Sequence, residues 1–553
     1  MSSNESPQPP CPAETHARRR RRRMPPKWVW IVLALLAILA AVLRGADVPE
    51  DHAFANITTV VLCFMGVVVL AVWFLLLSGY RRLSRLLVAV GCAVTVGLLI
   101  FLFPIVRLNG ELLPTFAYRY ALKPDQMLDI PPANTIHAEK THIDVHTTTP
   151  ADFPGFLGPQ RSESVDGVKL ACDWAAQPPK RIWRQKIGAG WSAFSVVNGH
   201  AVTMEQRGDL EMTTCYNVET GQLEWTHSIS GRRFEGVAGG IGPRSTPTID
   251  DGMVFSLGVR GHLACLDGAT GKPIWEKDLL KEYGIPPEEE DDVMAWGRSA
   301  SPLVVGEKLI VPIGGRKAGP LVALAAFDKR SGKLLWNGGE RQISYCSPNV
   351  ATLGGIEQIV IVNEDTASGQ DATTGKTLWE HERPGHTNRD PNVSQAVPIA
   401  PNLVFLSKGY GGGAMLLRLD PAGEGGFKTH VVWKNPRLMK TKFTNVTVLD
   451  GHIYGLSDGI LECIEAAGGA SKWKQGHYGH GQILRAGDLL LVLTEKGEVV
   501  LVEATPERAN HVFGRFQAIE GLTWNNVALY GPYLLVRNAE EAGCYKLPLQ
   551  AQR

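Results

Sequence analysis

The sequence predicts an all-β, eight-bladed β-propeller with tryptophan-docking repeats, preceded by three transmembrane helices. Three observations predict it. A strand-turn-strand motif recurs: Asp267-Gly-Ala-Thr270-Gly271 leads to Trp275, and variants run through Thr220-Gly221 to Trp225, Ser331-Gly332 to Trp336, Thr374-Gly375 to Trp379 and, degraded, Gly468-Gly469 to Trp473. From Trp183 through Trp225, Trp275, Trp336, Trp379, Trp433 and Trp473 the spacings are 42, 50, 61, 43, 54 and 40 residues, a period that fits one four-stranded sheet per repeat. Apolar stretches at 28–43, 57–77 and 86–106 come before the array, and the latter two reach the roughly 20 residues that cross a bilayer.

The repeat is read as structural. Asp or Asn bonds neighbouring backbone amides, and Gly accepts the positive φ of a tight turn. The indole then offers a large apolar face and one N–H that needs a partner, which suits docking onto the next repeat. Trp183, Trp225, Trp275, Trp336, Trp379 and Trp473 are therefore assigned to docking between blades. Residues 483–504 and 525–548 supply two further repeats, the last without a fourth strand. Residues 181–187 have the composition of that strand and are expected to close the ring, since radial closure hides sheet edges.

Charge places the array. Up to Gly110 there are twelve Lys/Arg against five Asp/Glu, so the formal total of +1 leaves −6 for the remainder, which carries no basic footprint for nucleic acid. The basic run Arg18 to Arg23 and the cluster Arg81, Arg82 and Arg85 mark cytoplasmic flanks, which puts everything after Arg107 outside the cytoplasm. The first apolar stretch serves as a third span or as a cleaved signal. The expected domains are 1–27, a disordered basic cytoplasmic tail; 28–106, the membrane anchor; 107–150, an extracytoplasmic linker; and 151–553, the propeller. Of nine cysteines, Cys215, Cys265 and Cys463 hold equivalent repeat positions on separate sheets, which argues for packing rather than disulfides. Nothing in the sequence marks an oligomeric state.

In a propeller the residues just before each first strand ring one mouth of the channel. This places Trp191, Arg244, Trp296, Arg298, Trp524 and Asn525 on the candidate ligand or partner-binding rim. Turns on the same face add Arg207, Arg260, Arg316, Lys317, Asp458, Glu495 and Arg537. Aromatic faces stack on rings and Arg forks hold carboxylates, so this mixture suits a flat polyanion; the alternative is that these groups plug the channel and bond neighbouring loops. The insertion 277–295, with Glu288 to Asp292, is expected as a solvated acidic loop on that face. His137, His142 and His146 are too loosely spaced for zinc, His477 and His480 are a weak signal, and no metal site is assigned. No catalytic residue is identified.

These repeats, with Phe153-Pro-Gly-Phe-Leu-Gly-Pro-Gln-Arg161, Gly242-Pro-Arg-Ser-Thr-Pro-Thr248 and Trp296-Gly-Arg-Ser-Ala-Ser-Pro302, resemble the eight-bladed propellers of quinoprotein dehydrogenases and of a non-catalytic lipoprotein of outer-membrane barrel assembly. They are most similar to bacterial PQQ-binding-like repeat proteins of planctomycete type. The resemblance spans about 152–549 and implies fold more than activity. It implies a bacterial inner-membrane protein with a periplasmic propeller acting as a non-catalytic binding or assembly scaffold for a protein or peptide partner. The alternative it implies is a PQQ-dependent dehydrogenase of alcohols or sugars, with PQQ and calcium as cofactors. Adjacent cysteines and Cys-x-x-Cys-His are both lacking, so no cofactor is assigned in the leading reading.

Overall fold

The structure, a computed structural model, describes residues 24–45, 52–131, 143–231, 233–236, 239–423 and 425–550. The basic run at 18–23, Cys11, His137 and His142 lie outside these residues. The chain forms two compact units, one of apolar helices and one that holds everything from Ile105 onward.

Helices α1 (Lys27–Gly45), α2 (His52–Val72) and α3 (Arg82–Leu102) build the first unit, and α2 runs on as a π turn through Trp73–Leu77. Each is long and apolar enough to cross a membrane. The third is displaced from the apolar stretch 86–106 at both ends. It begins in basic residues that hydropathy does not mark, where Arg85 donates to the Leu75 carbonyl. It stops before Pro104, whose ring is incompatible with a helix interior, and the chain turns to strand.

Four short strands precede the blades: β1 (Ile105–Leu108) and β2 (Pro114–Phe116), paired as a hairpin, then β3 (Ser164–Val165) and β4 (Lys180–Lys186). Eight antiparallel sheets follow, at 195–229, 248–278, 303–338, 349–382, 397–435, 446–477, 482–517 and 528–546. First strands touch between blades 1 and 2, 2 and 3, 4 and 5, and 6 and 7, and the first strand of blade 8 touches that of blade 1, so they surround an axis. Blade 8 has three strands of its own. As expected, β4 supplies the fourth, antiparallel, with Trp183 opposite Cys544. Two distant parts of the chain therefore share one sheet, and the ring is latched by backbone hydrogen bonds.

Local chemistry explains the seams. In blade 2, Asp267 Oδ1 accepts from the Thr270 amide at 2.9 Å and from its hydroxyl at 2.6 Å, and Gly271 completes the turn at φ +69°. The indole of Trp225 lies on that glycine so closely that a Cβ would fall 2.5 Å from the ring. Its Nε1 donates to the Gly268 carbonyl at 2.9 Å. The same bond, always to the carbonyl three residues before the turn glycine, joins Trp183 to Val218 at 2.7 Å, Trp275 to Lys329 at 3.0 Å and Trp433 to Ala466 at 2.9 Å. Trp473 reaches the Thr505 carbonyl at 2.9 Å.

Two seams differ. Trp336 packs on Gly375 but its N–H finds no acceptor. Trp379, grouped by sequence with the docking residues, donates instead to Gln358 of its own blade at 2.8 Å. The next blade has no Thr-Gly turn to receive it: its strands Gly413–Pro421 and Phe427–Asn435 run long, and Phe427 packs with Leu378 and Trp379 at that seam. Trp433, left out of the docking set, takes the regular role. Between sheets the core is apolar on both faces of the inner strands. Leu489, Leu490, Leu491, Val492 and Leu493 are all buried, because a blade flanks each side. The cysteines among the described residues are free, in agreement with their register.

Segments of the chain outside the blades pack at both ends of the channel. On the face of the Asp-Thr-Gly turns, residues 157–165 cross the axis. Arg161 donates to the carbonyls of Pro302 at 2.9 Å and Ser301 at 3.1 Å, its own carbonyl accepts from Asn349 at 3.4 Å, and β3 adds a parallel strand to blade 7. On the other face lies the β1–β2 hairpin.

Candidate functional site

The predicted rim forms around a belt of hydrogen bonds that runs from blade to blade. The Ala193 amide donates to Thr246 Oγ1 at 3.0 Å, Thr246 to Ser301 Oγ at 2.9 Å, Ser301 to Ser347 Oγ at 2.9 Å, Ser347 to Gln395 Oε1 at 2.8 Å, and Gln395 to Asn445 Oδ1 at 3.0 Å. From blade 1 to blade 5, the amide just before a first strand is thus satisfied by the side chain at the same place in the next blade. Asn525 extends the pattern from blade 8, with Nδ2 donating to the Ser192 carbonyl at 2.8 Å. Asn525 lies buried in the wall, beneath the rim surface.

Above the belt, aromatic rings pack on one another. Trp191 and Trp524 have centroids 5.0 Å apart, Trp524 and Phe443 are 4.7 Å apart, and Phe443 and His480 are 5.6 Å apart. Trp296 belongs to a separate pair with Tyr345, at 5.5 Å. The Gly239-Gly240 turn lies between the two groups. A Cβ on Gly239 would meet Trp296 at 2.7 Å and one on Gly240 would meet Trp191 at 3.1 Å. The three rim tryptophans therefore do not converge on one pocket.

The rim cations are engaged within the chain. Arg244 donates to the carbonyls of Gly239 at 2.7 Å and Gly242 at 2.8 Å and lies over Phe234, and burial lowers its pKa to about 10. Arg298 is buried. It forks onto Glu290 at 2.8 and 3.1 Å and donates to the carbonyls of Pro312 and Ile313. This revises the acidic insertion: instead of a solvated loop it forms α4 (Leu279–Glu282) and α5 (Pro287–Val293), and Glu290 turns inward as the counter-ion of Arg298. Arg207 pairs with Glu205 at 2.8 Å, and Arg537 donates to Thr203 Oγ1 at 2.7 Å and the Met204 carbonyl at 2.9 Å.

On this face the β1–β2 hairpin covers the mouth at blades 6, 7 and 8. The Gly110 amide donates to Glu495 Oε1 at 2.7 Å, and its carbonyl accepts from Lys442 Nζ at 2.5 Å. A Cβ on Gly110 would strike the imidazole of His480, so only glycine fits. The same Glu495 oxygen accepts from Trp524 Nε1 at 2.8 Å. Further out, Arg107 pairs with Glu540 at 2.9 Å and Glu111 with His477 at 3.2 Å, a hydrogen bond that raises the His477 pKa. Beyond the hairpin, Asp125 accepts from Arg233 at 2.9 Å and its carbonyl accepts from the Gly208 amide at 2.7 Å. Part of the segment expected as a linker is thus docked on the rim. Asn109-Gly110 between apolar runs is a turn signal for this element, although the loop takes its positive φ at Leu112.

The residues present do not fit PQQ with calcium. A flat tricycle needs an open slot between faces, whereas the mouth rings already touch one another and Gly110 fills the space beside them. Glu205 and Glu290 are each spent on an arginine, and Glu495 on an amide and an indole. Among the described residues, the His/Cys/Asp/Glu clusters that could hold a metal contain none of these mouth carboxylates. A cleft of about 390 Å³ lies on the opposite face, lined by Asp152, Asp166, Asp250 and Asp251 among others. These acids are held by Asn198, Arg485, Lys329 and Arg330.

Comparisons with known proteins agree on the architecture. The chain is 22% identical over 180 residues to the quinoprotein alcohol dehydrogenase PedH of Pseudomonas putida, covering 26% of this chain and only 29% of that protein. The quinohemoprotein alcohol dehydrogenase of Comamonas testosteroni superposes with TM-score 0.54 at 12% identity, over 74% of this chain and 83% of that one. The quinohemoprotein alcohol dehydrogenase ADHIIG of Pseudomonas putida HK5 gives 0.53 at 13% identity, over 74% and 84%. At such identities the likeness is one of fold. Residues 174–475 match the PQQ_2 family, described as outer membrane protein assembly factor BamB, and because that match takes in more than half of the chain, the protein belongs to this family of PQQ-like propellers.

Proposed function

We propose that the protein is a membrane-anchored, extracytoplasmic, non-catalytic scaffold that binds a protein or peptide partner through the mouth face of its ring. The observation that carries this reading is the seat of Gly110 between Glu495, Lys442 and His480, which fills that part of the mouth with polypeptide. The surface offered to a partner is composite. Around the docked hairpin, Phe116, Tyr118, Tyr120 and Leu122 are exposed, and such amphipathic aromatics are common anchors of interfaces. Trp191, Arg244, Trp296 and Trp524 are the rim residues assigned to this binding face, while Arg298 and Asn525 hold its frame. The family description, an assembly factor, points the same way. The basic residues Arg81, Arg82 and Arg85 at the start of α3 support a cytoplasmic flank there, hence a bacterial inner membrane and a periplasmic propeller.

The competing reading, a PQQ-dependent dehydrogenase, draws on the names of the structurally similar proteins. It would require the hairpin to leave and the aromatic cluster to open. A photo-crosslinking residue at Tyr120 or Leu122, introduced in cells, tests the scaffold reading against the same residue at Lys272 or Arg330 on the opposite face. Discrete protein adducts from the first pair alone are expected. Adducts only from the second pair, or none from the first, would contradict it.

A further inference from the structure

Away from the mouth, three ligand-type side chains meet across the seam between blades 1 and 2. His227 comes from the fourth strand of blade 1 (Leu223–Ile229), His262 from the third strand of blade 2 (His262–Asp267) and Glu276 from its fourth (Pro273–Asp278). Nε2 of His227 lies 3.0 Å, and Nε2 of His262 lies 2.9 Å, from the same oxygen, Glu276 Oε1. One donor atom from each residue falls within 4.8 Å of the other two. Ligands sharing an ion at bond lengths near 2.0–2.1 Å in a tetrahedron stand roughly 3.3 Å apart, so the three are already close to coordination distance.

Hydrogen bonding accounts for only one of these contacts. His262 is aligned with Glu276 Oε1. His227 is as close but misaligned, and neither of its ring nitrogens has a hydrogen-bond partner although the residue is only 5% exposed. A buried imidazole without a partner is costly in a native protein. Two ligands of one ion produce this geometry, because each aims its lone pair at the ion and past its neighbour.

We propose that His227, His262 and Glu276 bind a divalent first-row transition ion, Zn²⁺ by preference, which joins blade 1 to blade 2. Two imidazoles with one carboxylate suit zinc, whereas calcium and magnesium take oxygen ligands. Three protein ligands leave one tetrahedral position, and Glu276, whose side chain is 35% exposed, opens it to water. The ligands come from different blades and follow no spacing motif, which is why the sequence pointed to no metal. The second cluster of this kind, His200, Cys215 and Glu224, is closed by its own bonds: His200 Nδ1 and the Cys215 thiol both meet Glu224 Oε2, at 2.7 and 3.4 Å. It carries no proposal.

The test uses the full chain in detergent, stripped with a chelator and dialysed against Zn²⁺ alone. One equivalent retained per chain is expected, with a melting temperature that rises and falls back on chelation, and visible d–d bands of a tetrahedral site when Co²⁺ replaces zinc. Glu276→Gln and His262→Gln should lower zinc affinity at least tenfold while the chelated melting temperature stays at the parent value. Glu276 is the most exposed ligand, so that variant keeps the test independent of folding defects at His227. No retained zinc in the parent chain, or parent affinity in both variants, would overturn the proposal; the latter would place zinc at another cluster.

Discussion

Trp225 and Trp336 hold the same place in blades 1 and 3 and differ by one hydrogen bond. The first donates to Gly268 and is fully buried, whereas the second has no acceptor. Trp225→Phe therefore loses packing and a bond and orphans a carbonyl, while Trp336→Phe loses packing alone. Denaturant unfolding followed by circular dichroism should show the first variant about 1 kcal/mol less stable than the second, and Trp225→Ala should cost about 3–5 kcal/mol. Glu163 makes a pH prediction. It is buried in the channel plug with Oε2 unpartnered, and burial raises its pKa well above 4.5. The unfolded chain thus gives up a proton that the native chain keeps, so the contribution of Glu163 to stability is fully present below about pH 4.5 and is lost as pH rises through the raised native value. Glu163→Gln should raise the melting temperature at pH 7 and change it little near pH 4. Equal shifts at both values would contradict this.

Among the elements, the hairpin and the latch invite direct tests. Gly110 is the tightest contact of the hairpin, so Gly110→Val should release β1 and β2 from the mouth while the propeller stays folded. Limited proteolysis should then cut within 105–130 in the variant and spare the parent. Unchanged protection would show that the tip does not depend on this seat. The ring was legible from its turns, because Asp267, Thr270, Gly271 and Trp275 each have one structural task and repeat it. The fourth strand of blade 8 was legible because a three-stranded remainder needs a partner. The mouth was not. Arg298 and Glu290 approach through an insertion whose short helices have no periodicity to read, and Glu495, Lys442 and His480 meet Gly110 from loops far apart in sequence. Trp379 was misassigned because its own strand matches the repeat, whereas the departure lies in the turn of the next blade.

At the scale of the whole molecule, an eight-bladed ring carries a hairpin on one mouth and a plug in the other, and it belongs to a family whose relatives by fold include quinoprotein dehydrogenases. Fold alone does not choose between scaffold and enzyme; the scaffold proposed above rests on the contacts of the hairpin with the mouth. The most direct measurement is equilibrium dialysis of the purified full chain against PQQ with calcium, read by quinone absorbance and by dye reduction with alcohols and sugars. The account predicts no retained quinone and no reduction. One equivalent of PQQ held per chain, with turnover, would contradict it.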